Sequence, residues 1–298
     1  MPSPPQLRHL QANGLRFACL EAGHGPLVLC LHGFPDTAHS FNELLPVLAA
    51  AGYRAVAPFM RGYAPTGLAP DGDYSATALG RDVLALIEAL GEPEATVIGH
   101  DWGAYAAYCA ANLDDAARIR RLVLMSVPHL AAAVNTWAQL RRSWYVWFFQ
   151  LPGLPEWRVA QDDFAFIERL YRAWSPGWPV GEAELRPVKQ ALAAAGGLAA
   201  AIGYYRAMFR HTSRQNWAVL TTKTSVPTLM LAGVQDGAVG VETLVRSADA
   251  FTNLDAFTFH ALPGVGHFPH REAATEVNRL ILDFLSRDAV PEAPGHAS

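Results

Sequence analysis

The chemistry starts at Asp101, in the stretch Val97-Ile98-Gly99-His100-Asp101-Trp102-Gly103-Ala104. This stretch reads as a strand, a tight turn and a helix, with Gly99 and Gly103 bracketing the aspartate where backbone crowding demands small residues. A carboxylate is anionic at neutral pH and needs no base to attack. It is a fair nucleophile toward a saturated carbon that carries a leaving group or ring strain, and such attack leaves an alkyl ester. That ester must then be hydrolysed, which calls for an activated water and oxyanion donors. His267, in Gly264-Val265-Gly266-His267-Phe268-Pro269-His270, is the candidate base, with His270 as its competitor. Asp236, in Gly233-Val234-Gln235-Asp236, is the candidate that fixes the tautomer of His267 and stabilises its imidazolium. The backbone N–H groups of Phe34, in the turn His32-Gly33-Phe34-Pro35, and of Trp102 would hold the oxyanion. Each residue also has a plainer use: Asp101 as a helix N-cap, Asp236 as a turn residue, His267 as a surface loop residue.

These residues need elements to bring them together. Residues 6–21 read as a β-hairpin turning at Asn13-Gly14. The run 27–31 (LVLCL) is apolar throughout, as a strand covered on both faces would be. Helices are expected over 40–51, 76–90, 102–118 and 272–286, and further strands over 53–58, 95–99, 122–127, 226–232 and 257–262. Strand and helix alternate, which predicts an α/β fold with a mostly parallel sheet flanked by helices. The rhythm breaks at about Pro128. From there to about 218 no apolar strand pattern occurs, and seven of the eight tryptophans fall in this span. The expected organisation is therefore a core of 1–128 and 219–298 with a helical cap, 129–218, inserted in it. In open α/β sheets ligands bind beyond the carboxyl ends of the strands. His32-Gly33, Asp101, Asp236 and His267 all follow expected strand ends, and an aromatic cap over that edge would make a dry apolar pocket.

Composition narrows the function classes. The 298 residues are 51% hydrophobic and 17% charged, enough apolar material for a large core. The formal net charge of −4 gives no basic footprint for nucleic acid or anionic membrane. The three cysteines, Cys19, Cys30 and Cys109, lack metal-ligand spacing and read as buried thiols in a reducing compartment. The N-terminal stretch has no apolar signal core, and no segment reaches roughly 18 uninterrupted apolar residues. A soluble cytoplasmic protein without membrane insertion is expected, with a disordered tail from about Asp288.

The motifs HGFPD (32–36), GHDWGA (99–104), WYVWFFQLPGLPE (144–156), GYYRAMFR (203–210) and GVGHFPHRE (264–272) resemble the epoxide hydrolases of the α/β-hydrolase superfamily, with the haloalkane dehalogenases as close cousins. The resemblance spans nearly the whole chain, and the order nucleophile, acid, histidine is that of the superfamily. It implies the α/β-hydrolase fold, water addition to an epoxide to give a vicinal diol, and no metal or organic cofactor. It further implies two cap tyrosines that donate to the epoxide oxygen. Tyr145, before Phe149-Gln150-Leu151-Pro152-Gly153, and Tyr205, before Arg206, match those positions, with Tyr204 the neighbour to distinguish.

Two departures turn the resemblance away from dehalogenation. Phe34 stands where dehalogenases typically carry Asn, and Trp102 stands where fluoroacetate dehalogenases tend to carry Arg. Phe34, Pro35 and Trp102 are expected to line the substrate pocket. The expected ligand is a small hydrophobic epoxide, and the expected assembly a monomer or homodimer. The alternatives are a haloalkane dehalogenase using the same aspartate and a non-catalytic binder on a hydrolase fold.

Overall fold

A computed structural model describes residues 4–113, 117–132, 136–210 and 214–288. The tail beyond Asp288, expected to be disordered, lies outside them. Eight strands form one sheet in the order β1-β2-β4-β3-β5-β6-β7-β8. The hairpin of β1 (Gln6–Ala12) and β2 (Leu15–Ala22) turns at Asn13-Gly14, both with positive φ, and pairs antiparallel with β4 (Arg54–Pro58). From β4 onward every pairing is parallel, through β3 (Leu27–Leu31), β5 (Ala95–His100), β6 (Ile119–Met125), β7 (Thr228–Gly233) and β8 (Phe257–Leu262). Strands β3, β5 and β7 are buried at every residue, which is why they are apolar without alternation.

Helices α1 (Leu44–Ala50), α2 (Ala76–Ala89), α3 (Trp102–Leu113), α11 (Val241–Val245), α12 (Pro269–Glu272) and α13 (Ala274–Leu285) belong to the alternating part of the chain. Ser75 caps α2 by accepting from the Ala78 N–H. Between β6 and β7 the described residues form helices and no strand of the sheet. These are α4 (Trp137–Arg142), α5 (Trp144–Phe148), α6 (Leu154–Ala160), α7 (Ala165–Trp174), α8 (Glu182–Ala193), α9 (Gly197–Arg210) and α10 (Arg214–Thr221).

Three expected elements shift. The helix over 40–51 begins only at Leu44, after a short 3-10 turn at Ala38–Phe41. Pro46 explains this, because a residue without N–H is tolerated in the first helical turn and not further in. The helix over 102–118 is described to Leu113, and Ala117 has a left-handed backbone, φ 53°. Strand β6 runs from Ile119 to Met125 rather than over 122–127. Arg120 and Arg121 hide its start from an apolar scan: Arg120 reaches the Glu94 carboxylate, and buried Arg121 donates to the Leu285 carbonyl. Ser126, at φ 61°, ends it.

The aromatic stretch also divides unexpectedly. Trp174 is buried, whereas Trp137, Trp144, Trp147, Trp157 and Trp217 are exposed. The interior beside the sheet edge is filled mainly by Tyr145, Phe149, Tyr171, Trp174, Tyr204 and Tyr205.

Candidate active site

Asp101 sits between β5 and α3 with φ 50°, a strained backbone for a residue with a Cβ. The packing leaves no alternative: a Cβ on Gly103 would lie 2.1 Å from the Leu31 carbonyl oxygen, so α3 approaches β3 as only glycine allows. The Asp101 carboxylate does not cap its own helix. Oδ1 accepts the Phe34 N–H across the sheet edge at 2.7 Å, and Oδ2 lies 3.6 Å from His267 Nε2. The turn that presents Phe34 is fastened by His32, whose Nε2 accepts the Met60 N–H at 3.0 Å while Nδ1–H donates to the Gly33 carbonyl at 3.0 Å. Burial pushes His32 down to about 4, so this imidazole is neutral.

His267 Nδ1–H donates to Asp236 Oδ2 at 2.9 Å, and Asp236 Oδ1 accepts the N–H groups of Ala238 and Val239 at 2.7 and 2.9 Å. The structure thus brings Asp101, His267 and Asp236 into one row, all three buried. Burial disfavours the charged imidazole of His267. The charge of Asp236, the hydrogen bond to Asp236 and the nearby charge of Asp101 outweigh it and raise the group to about 10. The competitor His270 faces away: its Nε2 pairs with the Ser40 hydroxyl, and its ring stacks on Phe41.

The two phenols arrive from α5 and α9. Tyr145 and Tyr205 have ring centroids 5.7 Å apart, and Trp102 meets Tyr205 edge-on at 5.1 Å. The Tyr205 hydroxyl is buried with no hydrogen-bond partner among the described residues. Burial, then the charge of Asp101, pushes both phenols well above the usual tyrosine range, so both keep their protons. Tyr204 is turned elsewhere and donates to the Arg61 carbonyl at 2.8 Å. A cavity of about 210 Å³ is lined by Asp101, Trp102, Tyr145 and Tyr205 together with Tyr105, Leu130, Leu140, Val146 and Met208. Phe34 and Pro35, expected in the pocket wall, are not among its lining residues. The Phe34 ring is fully buried against Phe149 and Tyr205, and the Pro35 carbonyl accepts the Tyr171 hydroxyl at 2.7 Å.

Several supports escaped the sequence reading. The Trp174 ring packs on His267 at 4.9 Å, and Ser175 Oγ accepts the His267 N–H at 2.9 Å. Glu272 accepts from the N–H groups of Gly266 and Phe268 and from the Ser175 hydroxyl, clamping the loop on both sides of His267. Trp174 and Ser175 reach His267 from a segment about ninety positions away, whereas Glu272 acts on its own loop. Asp36, His100 and His270 place ligand atoms within 4.8 Å of one another, all buried. Arg271 places positive charge beside Asp36 and His270, which opposes a cation there. His100 Nε2–H instead donates to the His267 carbonyl at 2.8 Å.

The match to known proteins follows this geometry. The α/β-hydrolase fold family model matches residues 26–274. Epoxide hydrolase 3 of Mus musculus is 30% identical over 284 residues, covering 93% of this chain and 75% of the mouse protein. The chain belongs to the epoxide hydrolase family. Epoxide hydrolase A of Mycobacterium tuberculosis is 29% identical over 324 residues, covering 95% of this chain and 98% of its own. The crystal structure of Epoxide Hydrolase A from Mycobacterium thermoresistibile superposes with a TM-score of 0.81 at 27% identity, over 95% of this chain and 98% of that one. This α/β-hydrolase carries a mostly parallel sheet whose strand ends meet a set of helices. No helix among the described residues is long and apolar enough to cross a membrane.

Proposed function

We propose that this member of the epoxide hydrolase family converts an apolar epoxide and water to a vicinal diol through an alkyl ester on Asp101. The observation that carries the reading is the pairing of two proton-bearing phenols, Tyr145 and Tyr205, with a carboxylate backed by His267 and Asp236 around one cavity. Residues 129–218 act in this reading as the cap that brings the phenols to the core. The free, buried cysteines fit a cytoplasmic setting.

Asp101 Oδ1 is occupied by the Phe34 N–H, so Oδ2 is the attacking oxygen. It forms the C–O bond to one ring carbon while the ring C–O bond breaks, and the electron pair on the epoxide oxygen takes a proton from Tyr145 or Tyr205. Esterification removes one of the two carboxylate charges that hold the proton on His267, so that proton passes to the tyrosinate left by ring opening and the neutral imidazole becomes a base at the step that needs one. His267 takes a proton from water, and the water oxygen adds to the Asp101 carboxyl carbon. Charge gathers on Oδ1, already held by the Phe34 N–H, with the Trp102 N–H as second donor. Collapse expels the diol oxygen, which takes the proton from His267. The re-ionising Asp101 carboxyl group gives its proton to His267, which restores the resting site.

The test offers one purified batch a styrene-type epoxide and a bromoalkane, scoring diol and bromide in parallel. Diol without bromide is expected; bromide without diol would replace the reading with dehalogenation. In the His267→Gln protein the ester should accumulate, and intact mass should rise by the mass of the epoxide. A His267→Gln enzyme with normal turnover would remove His267 from the base role.

A further inference from the structure

The overall charge of −4 conceals a segregation. Residues 129–218 contain ten Arg or Lys against six Asp or Glu, and the rest of the chain thirteen against twenty-one. The same helical stretch carries the exposed aromatics. Trp137 is 84% exposed, Trp157 60%, Trp147 55%, Trp144 49% and Phe209 43%. Their helices lie side by side. The rings of Trp147 on α5 and Phe209 on α9 are 5.3 Å apart. Arg206 on α9 holds the carbonyls of Phe149 and Leu151 and the carboxylate of Glu156, tying α5 and α6 to α9. Arginines adjoin the aromatics along the helices: Arg141 follows Trp137 by one turn, Arg158 follows Trp157 and Arg210 follows Phe209 in sequence, and Arg169 shares a surface depression with Trp144. None of these four pairs with a carboxylate among the described residues, whereas the neighbouring Glu156 and Glu242 are engaged by Arg206 and Arg142. The surface borders the cavity mouth, because Trp147 and Met208 line the cavity and are themselves exposed.

We propose that this face, built from α4, α5, α6 and the end of α9, docks on an anionic lipid bilayer surface, from which apolar epoxides reach the cavity directly. Indole rings favour the headgroup level of a bilayer, where the apolar body and the N–H are both accommodated. Arginine lays its stem on apolar matter and keeps its charge among phosphates. A contiguous exposed apolar patch rimmed by charge marks an interaction site. A second copy of the chain fits less well, because a two-fold contact would set this cationic face against itself. The inference rests on the proposed activity only for what enters the cavity; docking is measurable without turnover.

The experiment sediments the full chain with vesicles of phosphatidylcholine alone and of phosphatidylcholine mixed with phosphatidylglycerol, at low and high salt. Two variants accompany it, Arg141→Glu with Arg210→Glu, and Trp137→Ser with Trp157→Ser; none of these side chains lines the cavity. Binding is expected on the anionic vesicles, released by salt, and reduced about tenfold or more by either double variant. Turnover of a water-soluble epoxide should stay at wild-type level in both variants, while turnover of an epoxide dissolved in anionic vesicles falls with binding. Failure to bind anionic vesicles overturns the proposal, as does equal binding by the variants. A dimer that the tryptophan variant dissolves, without lipid binding, would assign the face to self-association instead. If no epoxide is turned over at all, the sedimentation result still decides the docking question by itself.

Discussion

Replacing Asp101 with Asn should lower the proton affinity of His267. The swap is nearly isosteric, and the amide oxygen can still accept the Phe34 N–H that Oδ1 accepts now. What changes is the charge 3.6 Å from His267 Nε2. Asp101 is 7% exposed and His267 fully buried, so bulk water screens this pair poorly. At an effective dielectric constant of about 20, two unit charges at this spacing interact by about 5 kcal/mol, equivalent to about 3 pH units. His267, raised to about 10 in the native site, should therefore titrate near neutrality in Asp101→Asn. The variant also mimics the charge of the ester, so the same fall applies to the working enzyme after ring opening. The assay is a pH titration of the imidazole carbons by NMR, with labelled histidine and His267→Gln used to assign the resonance. A His267 in Asp101→Asn that titrates within about half a pH unit of wild type would refute the reasoning. The base would then have to be poised by Asp236 alone.

The remaining predictions follow from single contacts. Tyr205→Phe should slow ring opening yet leave thermal stability equal or higher, because it deletes a buried hydroxyl without a partner. Tyr204→Phe should do the reverse: it strands the Arg61 carbonyl, costs about 1 kcal/mol in denaturant unfolding and leaves turnover intact. Gly33→Ala should abolish diol formation, since its Cβ would lie 2.3 Å from Asp101 Oδ1 and 2.7 Å from the Trp102 nitrogen; a fully active Gly33→Ala enzyme would contradict the oxyanion geometry. Because the folded protein holds the His267 proton more tightly than the unfolded chain does, this group stabilises the fold fully below about pH 6.5. That contribution declines as pH rises through about 10. Unfolding midpoints between these limits should fall with pH in wild type and fall less in His267→Gln.

Much of the site is local enough to read along the chain. Asp101 between glycines, His267 after Gly-Val-Gly and Asp236 after a strand all stand at strand ends, and a parallel sheet gathers strand ends on one edge. The two tyrosines were legible only by resemblance, because the helices that present them carry no chemical periodicity of their own. The choice between Tyr204 and Tyr205 came down to one hydrogen bond, the one that turns Tyr204 to the Arg61 carbonyl. The misplaced starts of α1 and β6 have equally local causes, a proline within the first turn and an arginine pair inside a strand.

By itself the sequence determined the alternation of strand and helix and the order along the chain of Asp101, Asp236 and His267 at strand ends, because those depend on hydrophobic period and backbone turns within a few residues. Only the tertiary structure decided which histidine faces Asp101 and that Phe34 lends its N–H while its ring leaves the pocket wall. It also decided that Glu272 and Ser175 clamp the base, and that most of the tryptophans face outward. These outcomes turn on contacts between residues tens to hundreds of positions apart, and distance along the chain carries no record of which face a side chain will find.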